Sequence, residues 1–328
     1  TIPPDANLAD NDFYFTFDEP PPRVSLVVAE EAAAARVLEI AASIPPVKDL
    51  VARAEVVPRG ALATAAWDEA ALVLWQGPLP SDAEAELIER FVSRGGQVIF
   101  FPPEDANETF FAGVAWGEWT THEPPVRAEQ WRTDQDLLSN TLSGGALPLG
   151  ELDVRQARGL IGEPVTLASL AGGGPLLARV PDGRGIYFCT TLPTPRHSSL
   201  ASEGVVLYAL IQRAIDRGIE PLSGARQLAA GAATAALARG SGASTAWERL
   251  AGSDDALSTE DGLHAGVYSI GGRLVAVNRP TGEDTARVAA AERIDALFRG
   301  LSFSRITGQA GVSDSIVQEI WRAFLIAM

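Results

Sequence analysis

"ALVLWQGPLPSDAEAELIERFVSRGGQVIFFPP" (Ala71–Pro103) decides the fold. It opens with an apolar run, Ala71–Trp75, of the kind that fits a strand buried on both faces. Ser81 and Asp82 then offer a helix N-cap. Ala83, Leu87, Ile88, Phe91 and Val92 recur at helical spacing and predict one apolar face. Gly95-Gly96 stops the helix, and "QVIFF" (Gln97–Phe101) predicts a second buried strand. Strand, helix and strand in this order need a crossover, so the two strands are expected to run parallel.

Working outward, "RVSLVV" (Arg23–Val28) predicts an earlier buried strand, followed by a helix over Glu30–Ser43 and a short strand at Ala54–Pro58. The β-α-β-β-α-β order predicts a parallel sheet covered by helices on both sides. Further on, "PLLARV" (Pro175–Val180) and "GIYFCTT" (Gly185–Thr191) flank a Pro-Asp-Gly turn and read as a hairpin. "GVVLYALIQRAIDRG" (Gly204–Gly218) predicts a closing helix.

These elements place one α/β domain at about residues 23–221, with a less regular insertion at about 112–166 carrying Trp116, Trp119 and Trp131. A smaller β-rich α+β domain is expected over 222–310. It includes a hairpin at Gly271-Gly272 and a helix capped by Thr281 and Asp284. Residues 1–22 read as a strand and linker from an upstream β-rich domain, with Phe13, Phe15 and Phe17 on one face. That strand could instead pair with the tail domain. Residues 311–328 read as the start of a membrane helix or as an amphipathic helix packing Ile316, Ile320, Phe324 and Leu325. In the membrane reading Trp321 and Arg322 are the interfacial anchor.

Bulk numbers narrow the function. A net charge of −16 over 328 residues argues against nucleic acid, whose phosphates need clustered cations, and against anionic lipid surfaces. One cysteine, Cys189, excludes an intrachain disulfide and a paired-cysteine metal site. Mid-strand, it lacks the helix terminus or imidazole that would activate it. His122, His197 and His264 show no metal-ligand spacing. His197, in "TPRHSSL", follows a strand, a position that can carry function. "LAGGGP" (Leu170–Pro175) lacks the spacing of a phosphate loop and reads as a turn, and the acidic run Ser253–Gly262 lacks the order of a calcium loop. No catalytic, cofactor-binding or metal-binding residue is expected. The candidate interaction surface is Trp116, Trp119, Trp131 and His197, either as a binding platform or as packing.

The opening stretch, together with "GIYFCTTLPTPRHSSLASEGVVLYALIQRAI", resembles the class I glutamine-amidotransferase-like fold, a flavodoxin-like parallel sheet. Active members carry a Gly-x-Cys-x-Gly elbow after the fourth strand and a His-x-Glu pair. Here the elbow position reads Phe101-Pro102-Pro103-Glu104-Asp105, and no His is followed two residues later by Glu. The resemblance therefore implies the fold without the reaction. "PPDANLADNDFYFTFDEPPPRVSLVV", "GVYSIGGRLVAVNRPTGEDTARV" and "EIWRAFLIAM" are similar to BatA-like membrane proteins of bacterial aerotolerance-type operons. That similarity implies a non-catalytic scaffolding region on the periplasmic face of the bacterial inner membrane. It would be anchored by a helix beginning near Trp321, with other membrane or periplasmic proteins as partners and no cofactor. The competing expectation is a hydrolase or carbohydrate-binding module in which His197 meets Glu104 or Asp105 at the strand ends.

Overall fold

The computed structural model describes residues 12–17, 21–105, 109–133, 136–141, 144–181, 185–223, 225–230, 247–252, 264–270, 273–279 and 291–301. Phe13–Arg279 form one compact unit, and the described residues outside it belong to a second. In chain order the first unit contains β1 (Arg23–Ala29), α1 (Ala32–Ser43), β2 (Ala52–Val56), β3 (Ala70–Gln76), α2 (Asp82–Ser93) and β4 (Gln97–Phe101). There follow β5 (Ala115–Val126), β6 (Ala128–Trp131), β7 (Val154–Ile161), β8 (Val165–Leu170), β9 (Pro175–Arg179), β10 (Ile186–Cys189) and α3 (Val205–Ile219). Last come β11 (Ala225–Ala229), β12 (Trp247–Gly252), β13 (Gly266–Ile270) and β14 (Arg273–Asn278). The second unit contributes α4 (Ala291–Leu297); the expected caps Thr281 and Asp284 lie outside the described residues.

The protein is a mixed α/β fold with an eight-stranded sheet ordered β2-β1-β3-β4-β10-β9-β8-β6. From β2 to β10 every neighbour is parallel. From β10 onward the pairings are antiparallel. The parallel sheet expected from the sequence is thus corrected to a mixed one, in which the expected hairpin of β9 and β10 opens the antiparallel part. The physical reason is connection length: β8, β9 and β10 are joined by short turns, which can link only antiparallel neighbours. Gly172, Gly173 and Gly174, all at positive φ, make the β8–β9 turn, the conformation glycine adopts at little cost. The segment expected to be irregular, 112–166, is also corrected. It supplies β6 and the first residues of β8 to the main sheet, and β5 and β7 form a two-stranded antiparallel ribbon.

Strand pleating explains the continuous apolar runs. Alternate residues point to opposite faces, and helices cover both. Leu72 and Leu74 of β3 join Leu38 of α1 and Leu207, Ile211 and Ala214 of α3 in one core. Val73 and Trp75 join Ile88, Phe91 and Val92 of α2 in the other. Ser81 takes the N-cap position of α2, but its hydroxyl makes no capping bond.

Two contacts hold this layering. Asp136, buried in the 112–166 segment, accepts hydrogen bonds from Arg179 (2.6 Å), Arg217 (2.6 Å), the Tyr187 hydroxyl (2.9 Å) and the Leu137 amide (3.0 Å). One carboxylate so ties that segment to β9, β10 and α3. At Gly218, α3 lies so close to β3 that an added Cβ would stand 1.9 Å from the Ala71 carbonyl oxygen.

β11-β14-β13-β12 form a separate four-stranded sheet, with β13 and β14 antiparallel as the hairpin reading expects. The expected strand around Phe13–Phe17 has no ladder partner among the described residues. Instead the side-chain amide of Asn278 takes the place of a neighbouring strand, accepting from Tyr14 N and donating to Tyr14 O, both at 2.7 Å. Among the described residues no helix is long and apolar enough to cross a membrane. The segment from Trp321 lies outside them.

Gly218→Ala is expected to destabilise by at least about 1–3 kcal/mol, the usual cost of overpacking a core. Urea unfolding should read this as a lower midpoint at unchanged slope.

Candidate functional site

In sheets of this kind ligands bind beyond the carboxyl ends of the parallel strands, which makes the crest above β1, β3, β4 and β10 the candidate site. Gln76, 2% exposed, ends β3 and organises it. Its Oε1 accepts from the amides of Glu30 (2.9 Å) and Glu31 (2.8 Å), and its Nε2 donates to Pro102 O (3.1 Å). The exits of β1 and β4 are thereby fixed to each other, and an otherwise unpaired amide at the start of α1 is satisfied.

Above the exit of β4 lies Arg158 of β7, which is 2% exposed. Its Nη1 donates to Pro103 O and Asp105 O, each at 2.7 Å, and its Nε to Gly117 O at 2.7 Å. Burial is the main cause that lowers its pKa, opposed by the charges of Glu118 and Asp105. The guanidinium carbon stands 5.8 Å from the centre of the Trp119 ring, within cation–π range.

His197 completes the crest beyond β10. Its Nδ1 lies 2.7 Å from Thr194 Oγ1, and its ring centre 5.0 Å from that of Trp119. Only 2% of the residue is exposed. Burial, followed by the neighbouring Arg196, lowers its pKa, while Glu104 acts in the opposite sense. Arg196 Nη1 donates to Glu104 Oε1 at 2.8 Å. Glu31 Oε2 is buried without a hydrogen-bond partner. Burial and then the charge of Glu104 raise the Glu31 pKa, with Arg196 lowering it.

The four residues expected at an interaction surface therefore separate. Trp119 and His197 meet on the crest. Trp116 does not reach solvent: it is 3% exposed and packs edge-on against Phe188 at 5.6 Å. Its place on β5 faces the core, which removes it from any surface patch. Trp131 is half-buried on β6, packed against the α3-side core. Glu104 stands next to Arg196 and acts electrostatically on His197, but no hydrogen bond joins His197 to Glu104 or Asp105 among the described residues. Cys189 is buried at the end of β10, and its thiol donates only to Thr191 O at 3.6 Å. Among the described residues no three His, Cys, Asp or Glu side chains gather as a metal site. Sequence reading missed Gln76, Arg158 and Glu31. The one available signal was a polar residue closing an apolar strand, as in "LVLWQ".

A comparison with protein-family models finds no match, and no curated protein matches. Solved structures show distant likenesses. One is a β-galactosidase from the psychrophilic Marinomonas ef1, at TM-score 0.37 and 15% identity over 61% of this chain and 29% of that one. A ThuA-like protein from Bacteroides uniformis has TM-score 0.41 and 12% identity over 62% and 95%. An exo-β-1,4-mannosidase from Opitutaceae bacterium strain TAV5 has TM-score 0.33 and 13% identity over 61% and 35%. The match thus spans about a third of each glycosidase. No activity is assigned from any of them.

Burial pushes the Cys189 thiol and the Tyr187 phenol each up to about 12. The native state holds both protons more tightly than the unfolded chain. Their contribution to stability is therefore whole below about pH 9 and lost as pH rises toward 12. Urea midpoints should fall over that window, and less steeply in Cys189→Ala. At pH 8 only about one thiol in ten thousand is ionised at such a pKa, so a thiol reagent should label the protein only after unfolding.

Proposed function

We propose that this chain is a non-catalytic interaction and scaffolding region built on a flavodoxin-like, class I glutamine-amidotransferase-like sheet. The strand order β2-β1-β3-β4-β10 supports that fold reading, since it is the flavodoxin arrangement. The observation that carries the functional reading is Arg158. Its bonds to Pro103 O and Asp105 O fill the place above β4 where an amidotransferase holds its nucleophile. His197 is tied to Thr194 and stacked on Trp119, and the residues beside it present no thiol to its ring. Fold alone does not bring its relatives' chemistry. The similarity to BatA-like proteins extends the proposal to the periplasmic face of a bacterial inner membrane. There the anchor is a helix beginning near Trp321 and the partners are other membrane or periplasmic proteins.

A second reading rests on Glu31. A carboxyl group with a raised pKa beside Glu104 and Arg196 has the character of a proton donor. It favours a hydrolase or carbohydrate-binding crest.

The test is turnover of glutamine, p-nitrophenyl esters and p-nitrophenyl glycosides by the purified protein and by Glu31→Gln and His197→Gln. The scaffolding reading expects no turnover and identical traces from all three proteins. Hydrolysis lost in either variant would establish the second reading in its place.

A further inference from the structure

We infer that the outer edge of β2 pairs antiparallel with the same edge of a second copy of this chain, so that one sheet runs through a two-fold dimer. β2 ends the eight-stranded sheet. On its inner side Arg23 N donates to Val51 O at 2.9 Å, and Val57 N donates to Val27 O at 2.8 Å. In an extended chain successive residues turn their N–H and C=O groups to opposite edges. The odd-numbered residues of β2 therefore face β1, and Ala52, Ala54 and Val56 turn their main-chain groups outward. Among the described residues nothing hydrogen-bonds that outer edge.

Edge strands are commonly blunted by proline, bulges or charge. β2 contains no proline and pairs with β1 without a register shift. At the far end of the sheet β6 is bulged, between Ala128 and Gln130. The charges β2 does carry, Arg53 and Glu55, are of opposite sign. They turn most strands away but match a copy of themselves.

Register and charge together single out that copy. Ala54 packs against the core to which Leu38 of α1 belongs, so Ala52 and Val56 share its face, and Arg53 and Glu55 share the other. Pairing about Ala54 sets Arg53 opposite Glu55 of the second copy, and Glu55 opposite its Arg53. Ala54 then exchanges both main-chain bonds with its counterpart, and Ala52 with Val56, which is 44% exposed. Arg53 and Glu55 fall at the non-hydrogen-bonded positions, where side chains stand closest. The neighbouring registers that keep the outward groups opposed would set Arg53 against Arg53, or Glu55 against Glu55. Like charges directly opposite are destabilising, so one register is selected. Glu55 is exposed and has no ion-pair or hydrogen-bond partner among the described residues. Arg53 gives only Nη2 to Glu69, in a pair whose side chains are 54% and 58% exposed. Such a surface pair holds it weakly, and the guanidinium keeps further donors free. The contact is isologous, the same patch used twice, as two-fold symmetry requires. Gln76, Arg158, His197 and Glu31 of the crest all lie outside β2, so the turnover assay does not bear on this edge.

Sedimentation velocity over a concentration series should show the native chain passing from monomer to dimer. Arg53→Glu or Glu55→Arg alone sets like charges opposite and should weaken the dimer at least about ten-fold. An equimolar mixture of the two single variants restores opposite charges and should recover the dimer, as should the double variant. Ala54→Pro removes an outward N–H, which an edge strand tolerates, and should abolish the dimer with Tm unchanged. Should Ala54→Pro lower Tm, the mixture of charge variants decides alone. A chain that stays monomeric at every concentration overturns the inference. So does a dimer indifferent to Ala54→Pro or to the single charge variants, and so does one that the mixture fails to restore.

Discussion

The guanidinium of Arg158 is the interaction on which the crest depends. A buried cation is costly unless its donors are occupied, and here three backbone carbonyls occupy them. Two of those carbonyls belong to the exit of β4 and one to β5, so the side chain joins the parallel sheet to the β5–β7 ribbon. Removing Arg158 would leave the exit of β4, the ribbon and Trp119 without their common anchor.

Asp136 plays the matching part at the other side of the same segment. It gathers Arg179, Arg217 and Tyr187 from β9, α3 and β10. With one cationic fastening and one anionic, the 112–166 segment is tied to the sheet at two places. Trp116 and Trp119 pair with Leu160 and Arg158, two residues apart on β7, across a one-residue register shift. Trp116 stands where the ribbon covers Phe188, and Trp119 where it meets His197.

The parallel half of the sheet was legible in the residues because burial on both faces leaves a signature: continuous apolar runs such as Ala71–Trp75 and Gln97–Phe101, separated by an amphipathic helix. The antiparallel half was not. Nor was the β5–β7 ribbon beside it, where "VRQARGLI" mixes Arg158 and Gln156 with apolar residues because the strand binds the crest as well as the core. Short turns decided the direction of β8, β9 and β10, and only the Pro-Asp-Gly turn before β10 was readable. On the crest, His197 and Trp119 were found individually from position and residue type. Gln76, Arg158 and Glu31 escaped because what makes them matter is the carbonyl, amide or charge each faces. Those partners lie as far as 165 residues away along the chain, from Glu31 to Arg196.

The clamp between Tyr14 and Asn278 spans 264 residues. A chain leaving a ribosome at about 5–20 residues per second exposes Tyr14 roughly 13–50 s before Asn278 emerges to meet it. For that interval three phenylalanines have no tether, so closing the loop is a late event of biogenesis.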